Sequence, residues 1–178
     1  MDYPLTYHIA TPDDATMLSA WDEAPHMQIA RGESDWWNWT EELCQKDIWR
    51  EMLIIKHEDL AFGFLQIMNA GKDPDNYWEG LDDTHMAIDM WIGKKEFLKR
   101  GFGTQIMKFA LKRAFANPRI TAVWIDPLVQ NLTAIRFYQK HDFQPVETRF
   151  KGGDMLHIHA LSRQDWERSI RKTDGGAY

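Results

Sequence analysis

The segment Gly93-Lys94-Lys95-Glu96-Phe97-Leu98-Lys99-Arg100-Gly101-Phe102-Gly103-Thr104 has the residue types of an anion site. Glycines let a backbone turn tightly with several N–H groups facing one point. The helical pattern that follows at once would add the unsatisfied donors and positive dipole end of a helix N-terminus. Such a loop suits a pyrophosphate, and Lys94, Lys95, Lys99 and Arg100 place positive charge around it. By itself the pattern is also that of an ordinary glycine turn with solvated charges.

Asp89 is the second chemical feature. It alternates with Ala87 and Trp91 on a strand whose other face reads Met86, Ile88, Met90 and Ile92. A carboxylate buried in such a segment is costly without a partner, so it is expected to face a polar groove. There it would bind a protonated amine and take its proton, directly or through water. A salt bridge to a lysine or arginine is the other reading. Tyr138 reads, residue by residue, as a half-buried packing group, and Asn131 as a helix N-cap. Cys44 has the acidic neighbours Glu41 and Glu42 and reads as structural rather than nucleophilic. His157 and His159 share a strand face, but no motif completes a metal site, so no metal is expected.

These residues need elements to hold them. Leu5–Ile9 is predicted as a strand, and Thr11-Pro12-Asp13-Asp14 opens a helix carrying Met17, Leu18 and Trp21. A second helix is predicted from Ser34 through Trp37 to Leu43. Strands follow at Met52–His57, Phe62–Met68 and Thr84–Ile92, the last two separated by the polar loop Asn69–Asp83. Gly103–Phe115 is the clearest helix and ends at Asn117-Pro118. Ile120–Ile125 is a strand and Asn131–Lys140 a helix. Phe143–Phe150 and Met155–Leu161 pair across Lys151-Gly152-Gly153-Asp154. The order βααββ then βαβαββ gives an α/β or α+β fold with a mixed central sheet flanked by helices. One domain is expected over residues 1–165, with a fraying polar tail at 166–178.

The stretch Asp126-Pro127, then Asn131-Leu132-Thr133-Ala134-Ile135-Arg136-Phe137-Tyr138 through Phe143, together with the glycine loop, resembles the GNAT superfamily of N-acetyltransferases. There Asn-x-x-Ala-x-x-x-Tyr-x-x-x-x-Phe follows the loop by one helix and one strand. Ile88-Asp89, Arg100-Gly101-Phe102-Gly103-Thr104 and Trp78-Glu79 bring the chain nearest to the aminoglycoside 6'-N-acetyltransferase group. The resemblance implies acetyl-CoA as co-substrate. Its pyrophosphate would lie at Lys99, Arg100, Gly101, Phe102, Gly103 and Thr104. The pantetheine arm would lie in a gap beside Trp91 and Ile92, reaching Asn131, Ala134 and Tyr138. Leu98 stands where the family carries Arg or Gln. Tyr138 would protonate the departing thiolate, and Asp89 and Asp126 would be the acidic active-site residues. Trp78 and Glu79 would meet the acceptor.

Composition narrows the partner. The net charge is −6, which disfavours nucleic acid and favours a cationic small molecule. The acids Asp73, Asp75, Glu79, Asp82 and Asp83 stand just before the Asp89 strand. Trp36 and Trp37 point about 100° apart on a helix, so one of them, assigned as Trp37, is expected to line a groove. No apolar run approaches the ~20 residues of a membrane span, the N-terminus lacks an export-signal layout, and the chain has one cysteine. A cytoplasmic enzyme is expected, with no membrane or nucleic-acid partner and with homodimerisation possible. The expected reaction is acetyl transfer to a primary amine, first an aminoglycoside 6'-amine, by direct attack in a ternary complex. The alternatives are a polyamine, an amino acid, a siderophore precursor, a protein N-terminus, or a non-catalytic CoA-binding module.

Overall fold

The computed structural model describes residues 4–32, 37–45 and 48–174. In chain order the elements are β1 (Leu5–Ile9), α1 (Ala15–Asp22), α2 (Gln28–Arg31), α3 (Trp39–Cys44), β2 (Arg50–His57), β3 (Leu60–Asn69), β4 (His85–Ile92), α4 (Phe102–Ala114), β5 (Ala122–Ile125), α5 (Leu132–Lys140), β6 (Gln144–Lys151), β7 (Asp154–Ser162) and α6 (Arg163–Asp174). The strands form one mixed sheet in the order β1-β2-β3-β4-β5-β7-β6. Every neighbouring pair is antiparallel except β4 and β5, which are parallel because α4 crosses between them.

The β4–β5 pairing is short. It joins His85 to Ala122, Met86 to Val123 and Ala87 to Trp124, and then stops. β4 continues along β3 as far as Ile92 opposite Gly63. The β5 chain instead follows β7: Ile125 pairs with His159, the Pro127 carbonyl accepts from the His157 N–H at 2.8 Å, and Leu128 bridges to Leu156. Proline has no N–H to give a β4 ladder, so the pairing that ends at Trp124 cannot resume at Pro127. The sheet therefore opens at its centre.

Helices line both sides of the opening. In α4, Phe102, Ile106, Met107, Ala110, Leu111 and Ala114 repeat at helical spacing and are buried against Leu65, Ile67 and Ile88 of the sheet. Full burial of a side chain such as Phe102 contributes on the order of 1.5–3 kcal/mol. Lys112 and Arg113 in the last turn complement the helix dipole. α5 starts at Asn131, whose Oδ1 accepts from the Ala134 N–H at 3.1 Å, and it turns Ile135 and Tyr138 inward. The other sheet face carries two separate apolar clusters. One joins Leu18, Trp21, Trp39, Ile54 and Phe64; the other joins Met68, Trp78, Ala87, Leu128 and Leu156.

Two sequence expectations change. The helix predicted from Ser34 is α3, which starts at Trp39 behind Asn38, whose side chain accepts from the Glu41 N–H; Ser34 and Trp36 lie outside the described residues. Of the tail expected to fray at 166–178, residues 166–174 lie within α6, and 175–178 lie outside the described residues. Ser162 and Asp165 exchange hydrogen bonds at its start, and Trp166 stacks on Phe115 with centroids 4.7 Å apart. Low mean hydropathy hid a helix anchored by the Trp166 ring and by Arg163, whose guanidinium donates to the Phe115, Asn117 and Ile120 carbonyls. Trp166→Ala should therefore lower stability by about 1–3 kcal/mol in a denaturant titration; a loss below about 0.3 kcal/mol would fit a frayed tail.

Candidate active site

Asp89 sits on β4 at the mouth of the opening. Its register partner is Gln66 of β3, whose own partner is Met52 of β2, so a polar pair interrupts an otherwise apolar face between the two clusters. Gln66 Nε2 donates to Asp89 Oδ2 at 3.2 Å, and Gln66 is itself buried. Asp126 comes immediately after β5, and the Tyr77 hydroxyl donates to its Oδ2 at 2.5 Å. Parting strands thus bring two carboxylates from distant sequence positions to one place. Burial raises the proton affinity of both above the usual carboxylate range, and the Asp89 charge pushes Asp126 further up. Burial, then the same two carboxylates, also raise Tyr138 and hold it as a phenol.

Two adjoining cavities meet at this pair. The smaller, about 250 Å³, is lined by Asp22, Met90, Trp91, Asn131, Ala134 and Tyr138 among others. The larger, about 510 Å³, is lined by Asp73, Asp75, Tyr77, Trp78, Arg50 and Lys151 among others. Ala30, Trp37, Asp89 and Asp126 line both. Asp22 is buried and accepts from Trp39 Nε1 at 2.6 Å. Arg50 forms an ion pair with Glu42.

The glycine loop leads from β4 into α4 and lines neither cavity. Gly101 is the N-cap of α4 at φ +92, a left-handed conformation that favours glycine. Gly103 has no such constraint: a Cβ there would make ordinary contact, 3.5 Å from the Phe137 ring of α5. Leu98 packs against the core, whereas Arg100 turns back to the Glu96 carbonyl at 3.3 Å and lies 5.7 Å from the Phe102 ring centroid. Ile92 is buried, and its carbonyl accepts from His26 Nε2 at 3.0 Å. Thr104 lies at the head of a groove between α4, α5 and α6 that also carries Lys108, Lys112, Lys140, Arg168 and Lys172.

The sequence-derived candidates therefore divide. Asp89, Asp126, Tyr138, Asn131, Ala134, Trp91, Trp37 and Trp78 line the two cavities. Glu79 does not: its exposed carboxylate lies 3.6 Å from Lys151 Nζ, outside the cavity wall. Of the other loop acids, Asp73 and Asp75 line the larger cavity. Asp82 is held by Thr84 and His85, and Asp83 by Arg119. Cys44 is exposed rather than structural. Among the described residues no three His, Cys, Asp or Glu side chains are grouped to hold a metal, and no helix is long and apolar enough to cross a membrane. Gln66, Tyr77, Asp22 and Lys151 escaped sequence reasoning, since register and loop closure alone bring them in.

The chain matches the acetyltransferase (GNAT) domain family over residues 10–149 and belongs to it. It is 25% identical to aminoglycoside N(6')-acetyltransferase type 1 of Serratia marcescens, over 94% of this chain and 87% of that protein. It is 28% identical to lysine N-acyltransferase MbtK of Mycobacterium tuberculosis, over 76% of this chain and 66% of that protein. The fold superposes with a TM-score of 0.80 on aminoglycoside acetyltransferase AAC(6')-Ib solved with ribostamycin and coenzyme A, at 25% identity, covering 94% of this chain and 98% of that one. The chain is thus an acyltransferase of the GNAT type.

The half-buried pair makes a thermodynamic prediction. A carboxyl whose folded proton affinity is raised binds more protons folded than unfolded in the window between its two pKa values, so stability falls as pH rises through it. Asp126→Asn removes that cost while keeping an acceptor for Tyr77. It should raise the melting temperature at pH 8, by about 2–4 °C per kcal/mol regained, and leave it unchanged near pH 3. A gain at low pH instead would contradict the assignment.

Proposed function

We propose that this protein transfers acetyl from acetyl-CoA to a primary amine of a polycationic small molecule, foremost the 6'-amine of an aminoglycoside. The observation that carries the reading is the pair Asp89 and Asp126, half-buried where the narrow cavity meets the acidic, aromatic-walled one. The relatives whose names give aminoglycoside acetylation, and the similar structure holding ribostamycin with coenzyme A, support the same acceptor class.

The α4 N-terminus, with Gly101 left-handed and Lys94, Lys95, Lys99 and Arg100 nearby, fits a pyrophosphate. The narrow cavity along Met90, Trp91, Asn131 and Ala134 fits an extended arm ending at Tyr138. When bound, acetyl-CoA supplies the acetyl group as an activated thioester. Asp89 and Asp126 together draw an ammonium into the junction. Their raised proton affinity makes one of them able to accept a proton near neutral pH, which frees the amine lone pair for direct attack. Gln66 keeps Asp89 aimed, and Tyr77 does the same for Asp126. Tyr138 stays protonated. Because an ordinary thiol (pKa about 8.5) is the stronger acid, Tyr138 serves chiefly as a hydrogen-bond donor to the sulfur as negative charge builds.

The wider cavity recognises the rest of the acceptor. Asp73 and Asp75 add negative charge, and Trp37, Tyr77 and Trp78 give flat surfaces. A zwitterionic, lysine-like acceptor is the second reading, motivated by the cations Arg50 and Lys151 in the same wall. Their pairing with Glu42 and Glu79 leaves the cationic acceptor ahead.

A panel of amines with acetyl-CoA, read by thiol release, tests the reading. Aminoglycosides should be acetylated with a KM that rises with salt, whereas equal turnover of neutral amines with no salt effect would refute a cationic acceptor. Asp89→Asn should lower kcat/KM by about 10²–10⁴-fold while acetyl-CoA still raises the melting temperature. Tyr138→Phe should lower kcat with both binding constants nearly unchanged. Wild-type rates in both folded variants across pH 6–9 would remove these roles.

A further inference from the structure

We propose that Lys151 is a tethered competitor for one ammonium position of the acceptor cavity, and so determines which polycations the enzyme prefers. The inference rests on the acceptor reading above. Lys151 is the last residue of β6, at the Gly152-Gly153 turn. Its Nζ donates to the Tyr77 carbonyl at 2.6 Å and lies 4.3 Å from the centroid of the Tyr77 ring. The Glu79 carboxylate is 3.6 Å away. An aromatic face, a carbonyl and a carboxylate are what a primary ammonium needs for recognition.

The slot adjoins the reacting end. Tyr77, whose ring and carbonyl hold the lysine cation, donates its hydroxyl to Asp126, so one residue joins a resident ammonium to the carboxylate pair. The other cation in this wall behaves differently. Arg50 is almost fully buried, at 6% side-chain exposure, and pairs with Glu42, whereas Lys151 is 27% exposed and its anionic partner Glu79 is 69% exposed. Lys151 has a flexible stem and a loosely held counter-charge, so an incoming amine can displace it at modest cost. An acceptor with an amino group directed to the slot must displace Lys151 or suffer like-charge repulsion, whereas one with a hydroxyl there need not.

The test compares matched oligosaccharide amines that differ by amino against hydroxyl at single positions, with acetyl-CoA saturating. Lys151→Gln should raise the amino-over-hydroxyl ratio of kcat/KM at one position by roughly 3–10-fold, the scale of an exposed cation–π and ion-pair contact. The change should come through KM. Lys151→Arg should retain the wild-type ratio. Lys72→Gln, which removes an exposed positive charge from the loop before Asp73 without touching the cavity wall, should also leave the ratio alone. An unchanged ratio in Lys151→Gln for every pair, or an equal shift in Lys72→Gln, overturns the proposal. If the wild-type protein acetylates none of these amines, the acceptor reading falls and takes this inference with it. An active enzyme with indifferent ratios overturns the inference alone.

Discussion

Beyond Ala87, β4 no longer has β5 beside it, and the arrangement of the site follows from that separation. Two neighbouring strands that part cannot satisfy each other's backbone, so each half of the sheet must be completed elsewhere. β3 completes β4, and β7 takes the chain that leaves β5 through Asp126, Pro127 and Leu128. The opening is held from both sides rather than by contacts across it. It is deep, it lies between two apolar clusters, and its polar occupants come from segments that are far apart in sequence.

Its electrostatics follow from that depth. Asp89 and Asp126 are partly withdrawn from water, and Lys151, a cation in the same wall, offsets that burial at Asp126 only in part. Gln66 and Tyr77 give each carboxylate one hydrogen bond, which lowers its proton affinity only in part. The fold thereby holds groups that bind protons too tightly for an ordinary carboxylate, and it loses stability at neutral pH in doing so. The same field keeps Tyr138 protonated.

Much of this was legible in the residues, because the signals were local. The helical pattern over Gly103–Phe115 marked α4 to within one residue at each end, and alternation at Ala87, Asp89 and Trp91 fixed the face on which Asp89 projects. Asn131 followed by Tyr138 placed α5. Other features depended on contacts that no local pattern records. Gln66 is one more residue of an apolar strand until register sets it opposite Asp89. Tyr77 and Glu79 are two apart in one loop, yet one reaches Asp126 and the other turns outward to Lys151. α6 carries only Trp166 and Ile170 as large apolar residues and is held by Trp166 and Arg163, so composition made it look like a tail.

The central claim is that the parted strands hold two carboxylates that share a raised affinity for protons. Carbon-13 NMR of the aspartate side-chain carboxyls, assigned with Asp89→Asn and Asp126→Asn, reads it directly as pH is varied in the free protein. The account requires both resonances to titrate above the usual carboxylate range, with the remaining one moving down when its neighbour is replaced by asparagine, because a like charge has been removed. Two independent titrations near pH 4, unaffected by either substitution, would contradict it.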